Sequence, residues 1–207
     1  MKIKICGMKY QDNIKQVASL QPDYLGFIFY ESSKRNFDGD IPEISEKIKK
    51  TGVFVNESLD FILKKVKKYS LKAVQLHGDE SPKFCNDLRI VENLEIIKVF
   101  SIGDKFNFES LKEYEEVCNY FLFDTKGKER GGNGVAFNWE LFKEYKSKKP
   151  YFLSGGIGLE EMKDLQIFFK TESSKYCFAL DLNSKFEIEP GLKDVQRLKF
   201  FIENLKR

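Results

Sequence analysis

The sequence predicts a (β/α)₈ barrel, or TIM barrel, formed by a single domain over residues 1–207. Short apolar runs alternate with amphipathic segments about every 25 residues, and there are eight such runs. Several runs, such as the one from Tyr24 to Phe29, are almost continuously apolar, which is typical of strands covered on both faces. Eight repeats of near-equal length favour closure into a barrel over the alternative, an open doubly wound sheet.

The predicted strands and helices follow one another in strict order. The strands cover residues 2–6, 23–29, 51–55, 72–76, 95–100, 120–124, 151–154 and 177–182. The segment from Ser58 to Lys68 shows a clear helical pattern, because its apolar side chains fall on one stripe and its lysines lie opposite. Asp12, Ser58 and the Ser81-Pro82 pair stand where helix N-caps and first turns belong. We therefore expect about eight helices between the strands.

Charge and composition exclude several classes of function. The 35 lysine and arginine residues nearly balance the 32 aspartate and glutamate residues, so we expect no surface that binds nucleic acid. No run approaches the roughly 18 apolar residues that span a membrane, and the N-terminus enters a strand without a signal-peptide core. Four cysteines without CxxC spacing predict a reduced, cytoplasmic protein, and a single histidine suggests no metal site.

Two ionisable side chains stand at strand ends, where active sites are built in this fold. Cys6 ends the first predicted strand and Asp124 ends the sixth, so both belong to the carboxyl-terminal rim of the barrel. A thiol with a pKa of about 8.5 becomes a base near neutral pH when nearby dipoles stabilise the thiolate. Asp124 would need apolar neighbours to stay protonated as an acid. The sequence thus predicts an acid and base pair, against the alternative that Cys6 is simply a buried core residue.

Two loops near the C-terminus fit a phosphate site. Gly155 and Gly156 follow the seventh strand and precede a helix predicted to begin near Leu159, while Asn183 and Ser184 follow the eighth strand. Paired glycines let backbone N–H groups approach an anion, and the loops after strands seven and eight often bind phosphate in this fold. An ordinary turn is the alternative for the glycine pair alone, but two such loops together favour a phosphate site.

Three further features of the rim leave alternatives open. The glycine-rich segment 126–135 is either a lid that closes over the substrate or a surface connection. Arg35 follows the second strand and is either a ligand for a carboxylate or phosphate or a solvated loop residue. His77 is either a catalytic base or a structural or substrate-orienting residue, and the turn expected at Gly78 beside it favours the second interpretation. The remaining cysteines, Cys85, Cys118 and Cys177, are expected in the core.

Motifs with the spacing of a known family extend over almost the whole chain. They are KICG at 4–7, GFIFY at 26–30, SKR at 33–35, GVFVN at 52–56, VQLHG at 74–78, FDT at 123–125, GGNG at 131–134, FNW at 137–139, LSGG at 153–156, PG at 190–191 and KD at 193–194. Together they resemble the phosphoribosylanthranilate isomerase family. The first motif and the block from 131 to 139 are highly specific in combination.

The resemblance implies a small barrel that performs an Amadori rearrangement in tryptophan synthesis without cofactor or metal. In the family's pattern Asp124 is the general acid that protonates the ribose ring oxygen, and Cys6 as a thiolate removes the proton from C2′. Arg35 matches the residue that meets the anthranilate carboxylate, and Asp181 lines the sugar site. The phosphate-binding positions of the family correspond to Gly155, Gly156, Asn183 and Ser184.

The chain departs from the family pattern after strand eight, where residues 183–187 read NSKFE in place of the usual SSGVE, and at Glu31 and Asn138. Lys185 replaces a glycine in the loop after strand eight, which puts the geometry of the phosphate donors in question. Glu31 replaces a proline and Asn138 replaces an aspartate, and neither touches the predicted acid or base.

Two other functions remain as alternatives. A histidine-pathway isomerase, or a bifunctional barrel, would carry an aspartate where the first strand ends, and this chain has Cys6. A catalytically silent barrel that binds a sugar phosphate or a protein should have lost Cys6 or Asp124, and both are present. We expect a phosphorylated small-molecule substrate, no nucleic-acid or membrane partner, and a monomer rather than a dimer.

Overall fold

Eight parallel strands hydrogen-bond in chain order, and the eighth pairs with the first, so the sheet closes into a barrel. The computed structural model describes residues 1–91, 94–125 and 139–205. The strands are β1 (Lys2–Ile5), β2 (Tyr24–Ile28), β3 (Lys49–Phe54), β4 (Ala73–Leu76), β5 (Glu95–Ile102), β6 (Tyr120–Thr125), β7 (Tyr151–Leu153) and β8 (Cys177–Leu182). Each strand end lies within two residues of its predicted position, and the predicted barrel is confirmed.

Helices follow fewer strands than the sequence predicts. The described residues form five α-helices, α1 (Gln11–Ser19), α2 (Leu59–Tyr69), α3 (Pro82–Val91), α4 (Met162–Phe168) and α5 (Val195–Leu205), and four 3₁₀ helices, Phe108–Tyr114, Trp139–Glu144, Glu172–Tyr176 and Ser184–Phe186. The prediction of about eight helices is wrong between β2 and β3, where Gly39 and Pro42 interrupt any helical run. Within these described ranges, no helix is long and apolar enough to cross a bilayer.

Two helices begin at the caps that the sequence predicts. The Ser58 hydroxyl accepts a hydrogen bond from the backbone N–H of Phe61 at 3.2 Å, and the Ser81 hydroxyl accepts one from Phe84 at 3.2 Å. Each bond satisfies an N–H group that has no partner within its helix. These caps fix the starts of α2 and α3, and with them the loops that follow β3 and β4 at the rim.

The side chains of β6 alternate between the two parts of the core. Phe123 packs in the layer between barrel and helices, with its ring centroid 5.1 Å from that of Phe142, which stacks on Tyr151 at 4.9 Å. Leu122 faces the barrel interior. Because successive side chains of a strand point to opposite faces, the outward rings anchor β6 and direct Asp124 into the barrel.

The barrel interior changes from apolar to charged along its axis. Tyr24, Phe152 and Ala179 fill the amino-terminal half and are buried. The buried side chains toward the carboxyl-terminal ends are polar or charged, namely Lys4, Gln75, Asp124 and Asp181. Burying a charge is unfavourable unless the charge is paired. The buried side chains that can take part in proton transfer or charge pairing therefore lie in the carboxyl-terminal half of the barrel.

An antiparallel hairpin follows β8 and adds two charged residues to the same rim. Its strands are β9 (Glu187–Glu189) and β10 (Leu192–Lys193). The buried ammonium group of Lys193 donates a hydrogen bond to the side-chain oxygen of Asn183 at 2.6 Å. The hairpin is thereby tied to the loop that leaves β8.

Candidate active site

A cavity opens at the carboxyl-terminal ends of the strands, over the charged half of the barrel interior. The residues predicted for the site that line it are Cys6, Arg35, Asp124, Gly155, Gly156, Asp181, Asn183 and Ser184. His77 and Lys185 also line it. The structure therefore brings every predicted site residue to one cavity.

Cys6 lies directly after β1, with its sulfur against the backbone of β2. A Cβ atom at Gly26 would lie 2.7 Å from the Cys6 sulfur, so only glycine leaves room for the thiol there. The backbone N–H of Cys6 donates to the carbonyl oxygen of Leu182 at 2.9 Å, across the seam where the barrel closes. Burial raises the pKa of the thiol above its ordinary value and outweighs the Lys4 ammonium group, which lowers it. The expectation of a thiolate near neutral pH is thus opposed by burial.

Lys4 and Asp181 form an ion pair inside the barrel. The ammonium nitrogen of Lys4 lies 2.8 Å from Oδ1 of Asp181, and the two side chains are 0% and 5% exposed. The two residues are register partners in the pairing of β1 with β8. Cys6 lies two residues further along the chain on the same face of the strand, so its thiol is close enough to this ammonium group to favour its charged form. Burial lowers the pKa of Lys4, but Asp181 and Cys6 outweigh it and raise that pKa above its ordinary value.

Asp124 has an environment that favours the protonated form of its carboxyl group. Burial, reinforced by the negative charge of Asp181, raises the pKa of Asp124 to about 6. Hydrogen bonds from the backbone N–H of Thr125, at 3.0 Å, and from Ser154 oppose that rise. The direction agrees with the argument from sequence, which required apolar surroundings to keep this carboxyl group protonated.

His77 lies beside the acid at the end of β4. Its Nε2 atom is 3.6 Å from Oδ2 of Asp124, and its Nδ1 atom is 3.3 Å from the side-chain nitrogen of Gln75. The first distance exceeds that of a hydrogen bond. A structural or substrate-orienting role remains the interpretation that fits His77.

The glycine pair after β7 adopts backbone conformations that other residues avoid. Gly155 has a φ of +86° and Gly156 a φ of +67°. A Cβ atom at Gly155 would lie 2.1 Å from the hydroxyl oxygen of Thr125. Helix α4 begins at Met162 and not near Leu159 as predicted, because residues 158–161 form turns instead. The backbone of the glycine pair, more than a helix dipole, is what this loop offers to an anion.

The loop after β8 contains Lys185 where the family usually has a glycine. Lys185 is not among the residues with positive φ, so its side chain adds no backbone strain. Its ammonium group lies 3.8 Å from Oε1 of Glu161, and Ser184 opens the 3₁₀ helix to which Lys185 belongs. The question that the Lys185 replacement raised is thereby answered for the backbone, since this conformation needs no glycine.

Arg35 belongs to a charge network at the cavity wall. Its Nε atom donates to Oε1 of Glu187 at 2.9 Å and its Nη2 atom donates to Oε2 at 2.7 Å. Lys193 donates to Oε1 of the same carboxylate at 2.7 Å. Burial raises the pKa of Glu187, but the two cations outweigh it and hold that pKa below its usual range. The interpretation of Arg35 as a solvated loop residue is therefore wrong.

Three charged residues of the site were not singled out from the sequence. They are Lys4, Glu187 and Lys193. Lys4 carried a signal, since it alternates with Ile3 and Ile5 and lies on the same strand face as Cys6. Lys193 stood only in the KD motif at 193–194, with no role assigned, and Glu187 carried no such signal, because the importance of both depends on where the hairpin folds.

Two features named in the sequence analysis lie outside the described residues. They are the glycine-rich segment 126–135, interpreted as a lid or a surface connection, and Asn138.

Comparison with known proteins identifies the family. The sequence profile described as N-(5'phosphoribosyl)anthranilate (PRA) isomerase matches residues 3–204. The chain belongs to the phosphoribosylanthranilate isomerase family.

Members of this family match the chain over nearly its full length. The N-(5'-phosphoribosyl)anthranilate isomerase of Parabacteroides distasonis is 43% identical over 213 residues, which cover 99% of this chain and 93% of the relative. The crystal structure of the Thermotoga maritima enzyme has a TM-score of 0.83 at 32% identity, with 100% and 98% of the two chains covered. A crystal structure of phosphoribosylanthranilate isomerase in complex with reduced 1-(o-carboxyphenylamino)-1-deoxyribulose 5-phosphate has a TM-score of 0.80 at 29% identity, with the same coverage.

As a phosphoribosylanthranilate isomerase, the chain is an enzyme of tryptophan biosynthesis. The comparisons favour this family over the two alternatives, a histidine-pathway barrel and a catalytically silent barrel.

The raised pKa of Asp124 predicts a specific pH dependence of stability. A carboxyl group with a pKa of about 6 when folded and about 3.9 when unfolded binds protons on folding, so its contribution is fully present below pH 4 and lost as the pH rises through 6. Asp124→Asn should therefore gain stability relative to wild type over that interval, by up to about 3 kcal/mol at neutral pH. Urea unfolding at a series of pH values measures the difference.

The exposed Asp164 on α4 supplies the control. Asp164→Asn makes the same substitution at a solvent-exposed position, and its stability is measured at pH 4 and pH 7 beside that of Asp124→Asn. A stability difference for Asp124→Asn that is the same at both pH values would refute the raised pKa.

Proposed function

We propose that the chain converts N-(5′-phosphoribosyl)anthranilate into 1-(2-carboxyphenylamino)-1-deoxyribulose 5-phosphate with Asp124 as the general acid and Cys6 as the general base. The observation that carries this assignment is that both residues face one cavity from β6 and the end of β1, which are not neighbours in the barrel. An acid and a base on separate walls can act on two atoms of one bound substrate. The compound bound in the related structure supports the substrate class.

The first chemical step is the opening of the ribose ring. Asp124 gives its proton to the ring oxygen as the bond between that oxygen and C1′ breaks. The lone pair of the anthranilate nitrogen forms a double bond to C1′, which yields a protonated Schiff base. A carboxyl group with a pKa of about 6 suits this step, because an effective acid has a pKa near the working pH.

The second step is proton removal from C2′. Cys6 takes this proton as a thiolate, the electron pair forms the double bond between C1′ and C2′, and the Schiff-base nitrogen becomes neutral. The resulting enolamine tautomerises to the ketone. All electrons stay within the substrate, so these steps need no redox cofactor.

The order of the two steps helps the buried thiol to ionise. Burial raises the pKa of Cys6, whereas a positive charge within about 4–6 Å favours a thiolate. The Schiff base formed by ring opening is such a charge. Acid catalysis by Asp124 therefore prepares the site for base catalysis by Cys6.

The phosphate group is assigned to the loops after β7 and β8. Gly155 and Gly156 offer backbone approach through their positive φ angles, and Asn183 and Ser184 line the same cavity. These loops lie on adjacent strands. Their position agrees with the phosphate sites that recur in this fold.

The anthranilate carboxylate is assigned to Arg35. The guanidinium group lines the cavity and is fixed by Glu187. A guanidinium group has five N–H donors in a rigid fork, so its pair with Glu187 is compatible with a second carboxylate. Asp181 lines the same cavity from β8, which pairs with β1 on the side away from β2. It is assigned to the ribose part of the substrate.

The chain is proposed to act as a monomer in the cytoplasm. Large exposed apolar side chains of the described residues are distributed over several elements: Ile90 on α3, Ile167 on α4, Ile188 on β9, Phe200 on α5, Met1 before β1 and Tyr10 before α1. The four cysteines are all free, which is typical of a reducing compartment. The Thermotoga maritima relative is described as dimeric. Light scattering in solution decides the point, because the mass of two chains would reject the monomer.

Removal of the base tests the assignment of Cys6. Cys6→Ser should lower kcat by about 10²–10⁴-fold, because a hydroxyl group fills the space of the thiol but does not ionise near neutral pH. Affinity for the product should change little. The fluorescence loss of phosphoribosylanthranilate generated in situ measures turnover, and Cys177→Ser, at the opposite end of the barrel, is the matched control. A Cys6→Ser enzyme with nearly wild-type kcat would remove Cys6 from the mechanism.

A charge placed at the glycine pair tests the phosphate site. Gly156→Asp should weaken product binding by more than about tenfold, or 1.4 kcal/mol, because its carboxylate would face the phosphate. Gly156→Ala carries the same backbone strain without the charge and is the matched control. Isothermal titration with the product measures both. Equal affinities for the two variants would locate the phosphate elsewhere.

Arg35 is tested with two ligands that differ only in the aromatic carboxylate. Arg35→Met should weaken binding of the product by about 1.5–3 kcal/mol and barely affect an analogue without that carboxylate. Glu187→Gln keeps the size of this side chain and removes its negative charge. It therefore measures the effect of weakening the ion pair between Arg35 and Glu187 while Arg35 is retained. Equal losses for both ligands would mean that Arg35 reads the phosphate or only shapes the loop.

A further inference from the structure

Lys4 is a buried cation beside the proposed base but outside the cavity wall. Its side chain is 0% exposed, and it is absent from the residues that line the cavity. Its ammonium group lies 2.8 Å from Oδ1 of Asp181, and its side chain is on the same face of β1 as that of Cys6, where its charge favours the thiolate. A substrate in the cavity therefore meets Cys6 and Asp181, but not Lys4.

Among the described residues, three charged groups act on the pKa of the Cys6 thiol. Lys4 faces the thiol from β1, Asp181 from β8 and Lys193 from β10. The neighbouring strand β2 presents Gly26, which carries no side chain. Lys4 and Lys193 favour the thiolate, while Asp181 opposes it.

The two cations are not equivalent. Lys193 donates hydrogen bonds to Glu187 and Asn183, so its positive charge is already neutralised by a carboxylate other than the thiolate. Burial lowers the pKa of Lys193 to about 8, despite the opposing effect of Glu187. Of the two cations, Lys193 is the one whose charge burial disfavours more in the pH range in which a thiol ionises. Lys4, whose pKa lies above its ordinary value, keeps its charge throughout that range.

We propose that Lys4 is a positioning residue for the isomerisation: its ammonium group, fixed against Asp181, holds the thiolate of Cys6 in place by charge and by a hydrogen bond, without touching the substrate. This inference rests on the proposed role of Cys6. It assigns to the ion pair between Lys4 and Asp181 a part in catalysis besides the stability of the barrel.

The test measures ionisation of the Cys6 thiol directly. The rate at which iodoacetamide alkylates Cys6, followed by mass spectrometry of its peptide, rises with pH as the thiolate forms. Lys4→Met should move the midpoint of this rise upward by about one pH unit or more, because an opposite charge at this distance has been removed. Its kcat should fall while its KM changes little. Lys4→Arg keeps the cation and should recover most of the shift.

Controls separate this effect from a loss of stability. Lys98 forms another buried ion pair, 2.9 Å from Glu80, and Lys98→Met should leave the alkylation midpoint of Cys6 unchanged. If Lys4→Met does not fold, the double variant Lys4→Met/Asp181→Asn leaves no lone buried charge. Its midpoint should lie above that of Asp181→Asn alone.

A midpoint that does not depend on Lys4, in either the single or the double variant, would overturn the inference. The proposed function would still stand in that case, provided that Cys6→Ser is inactive. An active Cys6→Ser enzyme would instead overturn the role of Cys6 itself. The two failures are thus distinguishable.

Discussion

The ion pair between Lys4 and Asp181 is the interaction on which the active end of the barrel depends. It lies inside the sheet where β8 closes on β1, and both side chains are buried. Each of its two charges shifts the pKa of both the acid and the base, and the two charges shift them in opposite directions. The negative charge of Asp181 raises the pKa of Asp124 and of Cys6, and the positive charge of Lys4 lowers both. A single buried pair therefore adjusts the protonation of the two groups that the reaction uses.

Barrel geometry is what makes this arrangement possible. Alternation along β1 puts Lys4 and Cys6 on one face, and the register with β8 puts Asp181 against Lys4. The outward-facing rings around Phe123 hold β6 so that Asp124 faces inward. The apolar amino-terminal half beneath the site provides the low dielectric that strengthens each of these charge interactions.

The sequence predicted the strands and most of the site because each depends on local information. Apolar runs locate the strands, and Cys6 and Asp124 stand out because ionisable residues end such runs. The partner of Lys4 was not predictable in this way, since it lies 177 residues away and depends on barrel closure. The pair between Arg35 and Glu187, 152 residues apart, depends likewise on the fold of the hairpin. Among the described residues, several of the predicted helices are 3₁₀ helices and the one between β2 and β3 is absent, because periodicity does not distinguish an α-helix from a 3₁₀ helix or an irregular connection.

The most direct test of this account is the titration of the Asp124 carboxyl group by carbon-13 NMR, in wild type and in Asp181→Asn. The account predicts that the wild-type carboxyl titrates at a pH of about 6 and that its pKa falls toward the ordinary value when the neighbouring negative charge is removed. Loss of the resonance in Asp124→Asn assigns it. An Asp124 pKa that is unchanged or higher in Asp181→Asn would contradict the claim that the buried pair sets the protonation of the site.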